Sequence, residues 1–398
     1  MIKQKIFNDP VYGFTAVQKG LLLDLIDHPY FQRLRRIRQT GLAHYVYPGA
    51  LHTRFHHALG ALHLMQETIK VLRSKDVEIT EEEAEAVCVA ILLHDIGHGP
   101  YSHALEHTII DYHHEQLSAW FMEALNEEFS GRLTLAIAIF SNQYHKHFLH
   151  QLVSGQLDMD RMDYLNRDSF FTGVSEGVIG YDRIIKMLSV HDGDLVVEEK
   201  GIYSVEKFLI ARRLMYWQVY LHKTNVSAEQ MLTRALRRAR TLYLEGKPVE
   251  VSRGLAWFLR LQPGMEPDQK EILAHYARLD DTDIAMALKE WAYSDDPVLQ
   301  LLASGLLNRR LYRLEWSPAP FEETYKARVR ARIREKYGPE IPEEYLFLEG
   351  LESNQAYNES DEPIKILFNN GAVKRISECS DVPLYTQRVT KYFLAYPK

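Results

Sequence analysis

The 398-residue chain has few cysteines and lacks long hydrophobic runs. Cys88 and Cys379 lie far apart, which predicts neither a disulfide framework nor a thiolate zinc site and favours a reducing compartment. The first residues, MIKQKIFNDPVYGF, do not resemble a signal peptide, and the longest apolar run, Ala86–Leu93, is too short to cross a bilayer. We therefore expect a cytoplasmic protein with no membrane partner.

An excess of positive charge is also lacking. The formal net charge is −7, with 47 Lys and Arg against 54 Asp and Glu, so the chain as a whole does not attract nucleic acid or anionic lipid. Nucleic acid is a possible partner but not the favoured one. Any polyanionic ligand must instead be held by a local group of Arg and Lys side chains.

The hydrophobic pattern predicts a mainly α protein. We expect a helical core over residues 1–244 and a smaller α+β lobe over residues 245–398. A short β-hairpin is predicted to interrupt the core helices, with Leu195–Val197 as one strand and Ile202–Val205 as the other.

In the second region, Phe321–Tyr337 has apolar residues at helical spacing with Arg and Lys between them, which predicts a helix with a basic face. Ile364–Phe368 and Val389–Tyr396 favour β-structure. Residues 340–362 are acidic, contain Pro342 and are flanked by Pro339 and Pro363, which predicts a loop.

Histidine is unusually concentrated in one part of the chain. Of 18 histidines, 11 lie between His44 and His114. Thr80 and Glu83 form a capping-box pattern that begins a helix, and Gly97, Gly99 and Pro100 end it. His94 and Asp95 are thus expected in the last turn, where both side chains can reach an ion beside the helix end.

Two other segments supply partners for this pair. His57 is predicted on a helix that begins near Thr53, and Asp160 begins a polar stripe on a further helix. Taken singly these residues also suit structural roles, which for Asp160 would be a helix N-cap. Together, His57, His94, Asp95 and Asp160 form a mixed nitrogen and oxygen set suited to Mn, Mg, Fe, Ni or Zn.

Four motifs carry a family resemblance: FNDPVYG, HPYFQRLRRIRQTG, YVYPGALHTRFHHALG and HDIGHGPYSH, in that order. The chain from about Lys5 to Leu244 resembles the deoxynucleoside triphosphate triphosphohydrolases, which are HD-domain metal-dependent phosphohydrolases. The resemblance implies an HD-domain core and hydrolysis of a dNTP to deoxynucleoside and triphosphate. A water molecule activated by the divalent metal would attack the α-phosphorus.

The resemblance also implies roles for individual residues. The metal ligands it implies are His57, His94, Asp95 and Asp160. The catalytic positions it implies are His98, His103, His114 and Glu115, with His114 as the general acid toward the departing 5′ oxygen. The phosphate contacts it implies are Arg54, Arg212 and Lys223, and the sugar contacts are Gln39, Tyr164, Asp168 and Tyr220. Arg212 and Lys223 are eleven residues apart, which predicts one shared helical face.

A second implied feature is regulatory. Asn8, Asp27, Gln32 and Arg35 match a guanine-nucleotide activator pocket between subunits, which implies GTP or dGTP as activator and a homo-dimer or homo-tetramer. The alternative is a helix cap at Asp27 and surface charge at Arg35.

Departures from the family pattern affect the regulatory prediction. Tyr12 replaces the histidine of the usual DPxHG motif. Glu198 and Glu199 stand where activated relatives have basic residues, which argues against a second activator site for deoxynucleotides.

Other functions of the same metal set stay open. HHEQLSAWF lacks the DG and GYP elements of cyclic-dinucleotide phosphodiesterases, and HDIGHG differs from the HDxxED of guanosine-tetraphosphate hydrolases. Another HD nucleotide phosphatase or phosphodiesterase is one alternative. A catalytically silent nucleotide-sensing or nucleic-acid-binding HD protein is the other, and the basic helix Phe321–Tyr337 is its support.

Overall fold

The computed structural model describes residues 4–262, 264–265, 267–355, 357–360, 362–382, 384 and 387–398. Helices make up most of these residues, and small sheets accompany them, so the predicted mainly α class is confirmed. Within the same ranges, helices with both the length and the apolar character needed to cross a bilayer are absent.

The helices follow one another closely along the chain. Up to residue 244 they are α1 (Leu21–Asp27), α2 (Pro29–Gln32), α3 (Arg54–Arg73), α4 (Glu81–Leu93), α5 (His114–Glu128), α6 (Thr134–Phe140), α7 (His147–Ser154), α8 (Met159–Thr172), α9 (Tyr181–Met187), α10 (Ile202–Met215) and α11 (Lys223–Leu244). Beyond it they are α12 (Arg253–Leu259), α13 (Gln269–Tyr276), α14 (Asp281–Trp291), α15 (Pro297–Leu307), α16 (Glu323–Tyr337) and α17 (Glu343–Leu346).

The strands form small sheets at the edges of the helical body. In chain order they are β1 (Gln4–Asp9), β2 (Gly13–Gln18), β3 (Leu188–His191), β4 (Asp194–Glu198), β5 (Arg313–Ser317), β6 (Leu348–Asn354), β7 (Lys365–Leu367), β8 (Val373–Arg375) and β9 (Val389–Tyr396). β1 and β2 pair antiparallel, and a second sheet has the order β3-β4-β7-β8, with β4 and β7 parallel. The third sheet, β5-β9-β6, is antiparallel.

The predicted hairpin is correct in one strand and wrong in the other. Leu195–Val197 lies in β4, but its hairpin partner is β3. Asp192 and Gly193, both with positive φ, form the tight turn between them, as two-residue hairpins require. Ile202–Val205 instead forms the start of α10. Val205 is buried on the same helical face as Phe208 and Leu209, and a strand at this point would not bury these residues together.

The predicted shared face of Arg212 and Lys223 is also wrong. The two residues do not lie on one continuous helix, because α10 ends in a π-helical segment, Tyr216–Tyr220. The Nδ1 atom of His222 then accepts a hydrogen bond from the backbone N–H of Thr224 and caps α11, which begins as a separate helix at Lys223.

In the C-terminal region the helix α16 and the strands β7 and β9 confirm the predicted elements. The predicted loop over residues 340–362 is wrong in part, because it contains α17 and β6. Leu348 is buried and anchors β6, a tertiary contact that the acidic composition did not reveal. Residues 356 and 361 of that stretch lie outside the described residues.

Helix α3 is the central support of the site, since it packs against both α4 and α8. The predicted capping box of α4 is confirmed: the backbone N–H of Glu83 donates to Thr80 Oγ1 at 3.1 Å, and that of Thr80 donates to Glu83 Oε2 at 2.8 Å. One hydrophobic cluster joins Leu92 of α4, Leu236 of α11 and Trp291 of α14. Residues on both sides of position 244 therefore contribute to one core, and the division into two domains stays a prediction.

A glycine permits the close approach of α3 to α8. A Cβ atom at Gly60 would overlap the side chains of Asp163 and Arg167. Alanine in a helix interior is usually more stable than glycine by about 0.5–1 kcal/mol. Here we expect Gly60→Ala to lower the free energy of unfolding by about 1–3 kcal/mol, because a buried ion pair must move.

Urea unfolding of the two proteins measures this effect. Gly254→Ala is the matched control, because the heavy atom nearest its added Cβ, in Leu279, would be 3.8 Å away, an ordinary contact. A Gly60→Ala protein as stable as the parent would contradict the packing argument.

Candidate metal centre and active site

Three of the four residues predicted as metal ligands, His57, His94 and Asp160, each have a ligand atom within 4.8 Å of the others, and Asp95 lies beside them. The Nε2 atom of His57 lies 3.4 Å from His94 Nε2 and 3.1 Å from Asp160 Oδ1. It lies 3.6 Å from Asp95 Oδ2, and His94 Nε2 lies 3.5 Å from Oδ1 of Asp95 and of Asp160. Three separate segments, the start of α3, the end of α4 and the first turn of α8, bring them together.

These distances fit a shared cation. Ligands placed 2.0–2.2 Å from one ion in a tetrahedral or octahedral arrangement lie about 2.9–3.6 Å from each other. Two imidazole nitrogens and the Asp160 carboxylate, with the Asp95 carboxylate 3.5–3.6 Å from both imidazoles, suit Mn, Mg, Fe, Ni or Zn. The residues could therefore hold a divalent ion, and their chemistry does not select one of these metals.

The electrostatics of the cluster also favour positive charge. Burial would lower the pKa of His57, but hydrogen bonds to the carboxylates of Asp160 and Asp163 outweigh burial and raise that pKa to about 10. Burial would raise the pKa of Asp160, and its hydrogen bonds to His57 and His94 hold it well below its usual range. The centre is thus built to stabilise a cation.

The N-cap of α8 is Asp158, not Asp160. The side chain of Asp158 accepts the backbone N–H of Arg161 at 2.7 Å. Because the neighbouring residue has the capping role, the Asp160 carboxylate in the first turn is left to face the centre.

A second layer of side chains orients the two imidazoles. His57 Nδ1 lies 2.7 Å from Asp163 Oδ2, and both carboxylate oxygens of Asp163 accept hydrogen bonds from Arg167, at 2.9 and 3.0 Å. His94 Nδ1 lies 2.6 Å from the carbonyl oxygen of Ile91. Both histidines therefore present Nε2 to the centre.

Asp163 was not among the predicted residues. Its signal is present in the sequence, three residues after Asp160 and four before Arg167 on the polar stripe of α8. Such outer carboxylates typically change metal affinity about 10–100-fold when they are removed.

We expect Asp163→Asn to weaken binding of Mn²⁺ by that factor, about 10–100-fold, because the neutral amide no longer holds the His57 ring and its charge. Equilibrium titration with Mn²⁺ measures the loss. Asp182→Asn, an exposed position at the start of α9, is the matched control. Equal affinities of the two variants would exclude a positioning role for Asp163.

Next to the centre lies a group of three histidines and one carboxylate. The rings of His98 and His114 stack with centroids 3.9 Å apart, and the ring of His103 meets both edge-on. His114 Nδ1 lies 2.8 Å from Glu106 Oε1, which also accepts the backbone N–H of His114 at 3.0 Å. His98 Nε2 lies 3.3 Å from Asp95 Oδ1, so the group adjoins the metal centre.

The carboxylate beside His114 is Glu106. Glu115, predicted at this position, is exposed on the first turn of α5. Burial raises the pKa of Glu106, but hydrogen bonds to His103 and His114 hold it well below its usual range, so it stays ionised. No sequence pattern indicates Glu106, because it lies in an irregular loop eight residues before His114.

Arg54 lies against the metal centre. Its guanidinium forms an ion pair with Asp95 and donates to Ser102 Oγ at 2.8 Å. Burial would raise the pKa of Asp95, but Arg54, His94 and His98 lower it well below its usual range.

The predicted sugar-contacting residues form a second group around Asp168. One carboxylate oxygen of Asp168 accepts the hydroxyl of Tyr220 at 2.6 Å, and the other lies 2.6 Å from His52 Nε2. The rings of Tyr164 and Tyr220 are 6.1 Å apart, and the backbone N–H of Gln39 donates to the carbonyl of His52 at 3.0 Å. His52 was not predicted, since it precedes α3 and contacts α8 across 116 residues of chain.

The two remaining predicted phosphate contacts lie on separate helices. Arg212 is nearly buried on α10 and donates to Gln156 Oε1 at 3.2 Å. Lys223 is exposed at the first residue of α11.

The loop between α4 and α5 carries backbone strain. Tyr101, Ser102 and His107 all have left-handed φ values, between 54° and 59°, which cost energy in non-glycine residues. The N–H of Tyr101 donates to Asp281 Oδ1 of α14 at 2.7 Å, and Tyr276 of α13 lines the cleft beside His114. The C-terminal region thus shapes the site, a contribution that sequence analysis did not anticipate.

Of the four residues predicted for an activator pocket, Gln32 and Arg35 are in direct contact. Arg35 Nε donates to Gln32 Oε1 at 2.8 Å, and its guanidinium lies 3.5 Å from the ring centre of Phe55. Asp27 forms an exposed ion pair with Lys5 at 3.0 Å. Asn8 is exposed on β1, the strand that also carries Lys5.

Comparison with known proteins agrees with this geometry. The model of the HD domain matches residues 54–168, and that of the HD associated region matches residues 179–247. A solved structure named a phosphohydrolase, from Bacteroides thetaiotaomicron, is 48% identical, with a TM-score of 0.94 over 100% of both chains. A helical protein with this His and Asp centre is an HD-domain protein, and this chain belongs to the HD-domain phosphohydrolase family.

Two sequence relatives extend the comparison. The uncharacterized protein YwfO of Bacillus subtilis is 32% identical over 100% of this chain and 93% of its own length. A protein of Dictyostelium discoideum, named deoxynucleoside triphosphate triphosphohydrolase SAMHD1 homolog, is 28% identical over 90% of this chain and 69% of its own length.

Proposed function

We propose that the protein hydrolyses deoxynucleoside triphosphates to a deoxynucleoside and intact triphosphate. One observation carries the proposal: a His and Asp cation centre adjoins an imidazole, His114, held by an ionised carboxylate, Glu106. The name of the Dictyostelium relative supports the substrate class.

The residues of the chain divide the work of the reaction. A divalent ion held by His57, His94, Asp95 and Asp160 would lower the pKa of a water molecule and neutralise phosphate charge. Because Nδ1 of His114 is held by Glu106, its Nε2 is the atom that donates a proton to the departing 5′ oxygen.

The balance of the step follows from this arrangement. The water oxygen bonds to the α-phosphorus and one of its protons passes to solvent, the bond from that phosphorus to the 5′ oxygen breaks, and the proton from His114 completes the 5′ hydroxyl. His114 then takes a proton back from solvent. Glu106 stabilises the charged imidazole before transfer, as a carboxylate does for other catalytic histidines. Its negative charge also keeps the ring in one orientation.

Substrate placement uses the two flanking groups. Arg54, fixed between Asp95 and Ser102, offers its remaining N–H groups to phosphate oxygens next to the centre. Arg212 and Lys223 extend positive charge toward the rest of the triphosphate. Asp168, with Tyr220 and Tyr164, would hold the sugar.

Arg35 links the predicted activator pocket to the proposed active site. Its guanidinium packs on Phe55, which is next to Arg54 at the start of α3. A guanine nucleotide bound by Asn8, Asp27, Gln32 and Arg35 between subunits of a dimer or tetramer would therefore bear on the residue that contacts phosphate.

A product assay tests the proposed reaction. The purified protein is incubated with each of the four dNTPs and Mn²⁺ or Mg²⁺, with and without GTP, and the products are separated by ion-exchange chromatography. We expect deoxynucleoside and triphosphate. Mono- or diphosphate products would indicate another HD phosphohydrolase, and tight nucleotide binding without product would indicate a sensor.

A further inference from the structure

Two histidines near the site have no part in the proposed reaction. His107 and His113 lie in the strained loop before α5, and their rings meet edge-on with centroids 4.5 Å apart. One ligand atom from each of His107, His113 and Glu106 lies within 4.8 Å of the others. This group, which we call the outer histidine cluster, sits on the surface side of Glu106.

The outer histidine cluster has the features of a prepared metal site. His107 Nδ1 lies 2.7 Å from Asp111 Oδ1, an arrangement that orients a histidine and leaves Nε2 for an ion. His113 Nδ1 lies 3.7 Å from Glu106 Oε1. The side chains of His107 and His113 are 42% and 72% exposed, so an ion can reach them from solvent.

We propose that the outer histidine cluster binds a second divalent cation of the zinc type. Two imidazoles and one carboxylate prefer Zn²⁺, Ni²⁺ or Cu²⁺ over Mg²⁺, which favours oxygen ligands and retains water. The backbone of His107 is left-handed, with φ 59°, an energetic cost that an ion bound to its ring would offset.

A cation bound at the outer histidine cluster would draw on the negative charge of the Glu106 carboxylate. Oε1 of Glu106 already accepts both Nδ1 and the backbone N–H of His114, at 2.8 and 3.0 Å. Oε2 of Glu106 lies 2.9 Å from His103 Nδ1, so a cation bound to this carboxylate competes with His103 and His114 for its charge. Zinc in excess of the catalytic metal therefore inhibits turnover. This inhibition rests on the proposed role of His114, whereas the binding of zinc to the outer histidine cluster is independent of that role.

The test compares His107→Gln/His113→Gln with the parent. Activity is measured in Mn²⁺ with increasing Zn²⁺, and bound Zn²⁺ is counted by equilibrium dialysis. Without zinc, we expect the variant to have the activity of the parent. The zinc concentration that inhibits it should be about tenfold higher or more, because loss of a metal ligand weakens binding at least as much as loss of a side chain that orients a ligand. The variant should also bind one fewer zinc ion per chain.

The matched control is His147→Gln/His150→Gln, another near pair of histidine rings, on α7, with centroids 6.0 Å apart. It should resemble the parent in both measurements. Unchanged zinc stoichiometry in His107→Gln/His113→Gln would overturn the proposal, as would unchanged inhibition, which would place zinc on His98, His103 and His114 instead. If the protein shows no hydrolysis at all, the proposed function fails and dialysis alone decides the outer site.

Discussion

Replacing His94 or Asp160 with alanine is expected to remove both the bound divalent ion and the hydrolytic activity. Each residue supplies a ligand atom that lies 3.1–3.5 Å from its neighbours in the group His57, His94 and Asp160, and its loss leaves too few ligands to hold an ion against water. Metal content after dialysis should fall from about one ion per chain at this centre to none. Mass spectrometry of the metal and the dNTP product assay measure the two effects.

The chain contains a second His-Asp dipeptide, outside the metal centre, that serves as a control. His191 and Asp192 repeat the HD dipeptide in the hairpin of β3 and β4, where their side chains are 39% and 91% exposed. His191→Ala and Asp192→Ala should keep metal and activity. Retained activity in His94→Ala or Asp160→Ala would mean that the reaction does not use this centre.

Replacing His114 with alanine should separate metal binding from catalysis. We expect the metal to stay bound, because His114 lies beyond the ligand cluster, and the turnover number to fall about 10²–10⁴-fold, the usual contribution of a general acid. Because a general acid acts mainly in the transition state, substrate KM should change less than kcat. Steady-state kinetics at saturating Mn²⁺, together with metal analysis, measure both.

His113→Ala, assayed without zinc, is the control for this variant, because it removes the adjacent, exposed imidazole. Full activity in His114→Ala would remove His114 from the mechanism. Loss of metal in His114→Ala would instead place it among the ligands.

Local rules were enough for the elements that carry the ligands. The capping box at Thr80 and Glu83 set the start of α4, and its glycine-rich end left His94 and Asp95 where the helix stops. Such features depend on hydrogen bonds within four residues, so they are legible in sequence. The same logic failed for Ile202–Val205, where β-branched residues suggested a strand but burial of a helical face prevailed.

By itself, the sequence determined the helical character, the helix on which each ligand lies, and the family resemblance. Only the tertiary structure decided the partners. Asp163 beside His57, Glu106 beside His114 and Asp281 beside Tyr101 contact residues between 8 and 180 positions away. It also decided which HD dipeptide lies in the site and which lies on an exposed hairpin. The physical reason is that local spacing sets the direction of a side chain on its own element, whereas burial and charge pairing between distant elements set what it meets.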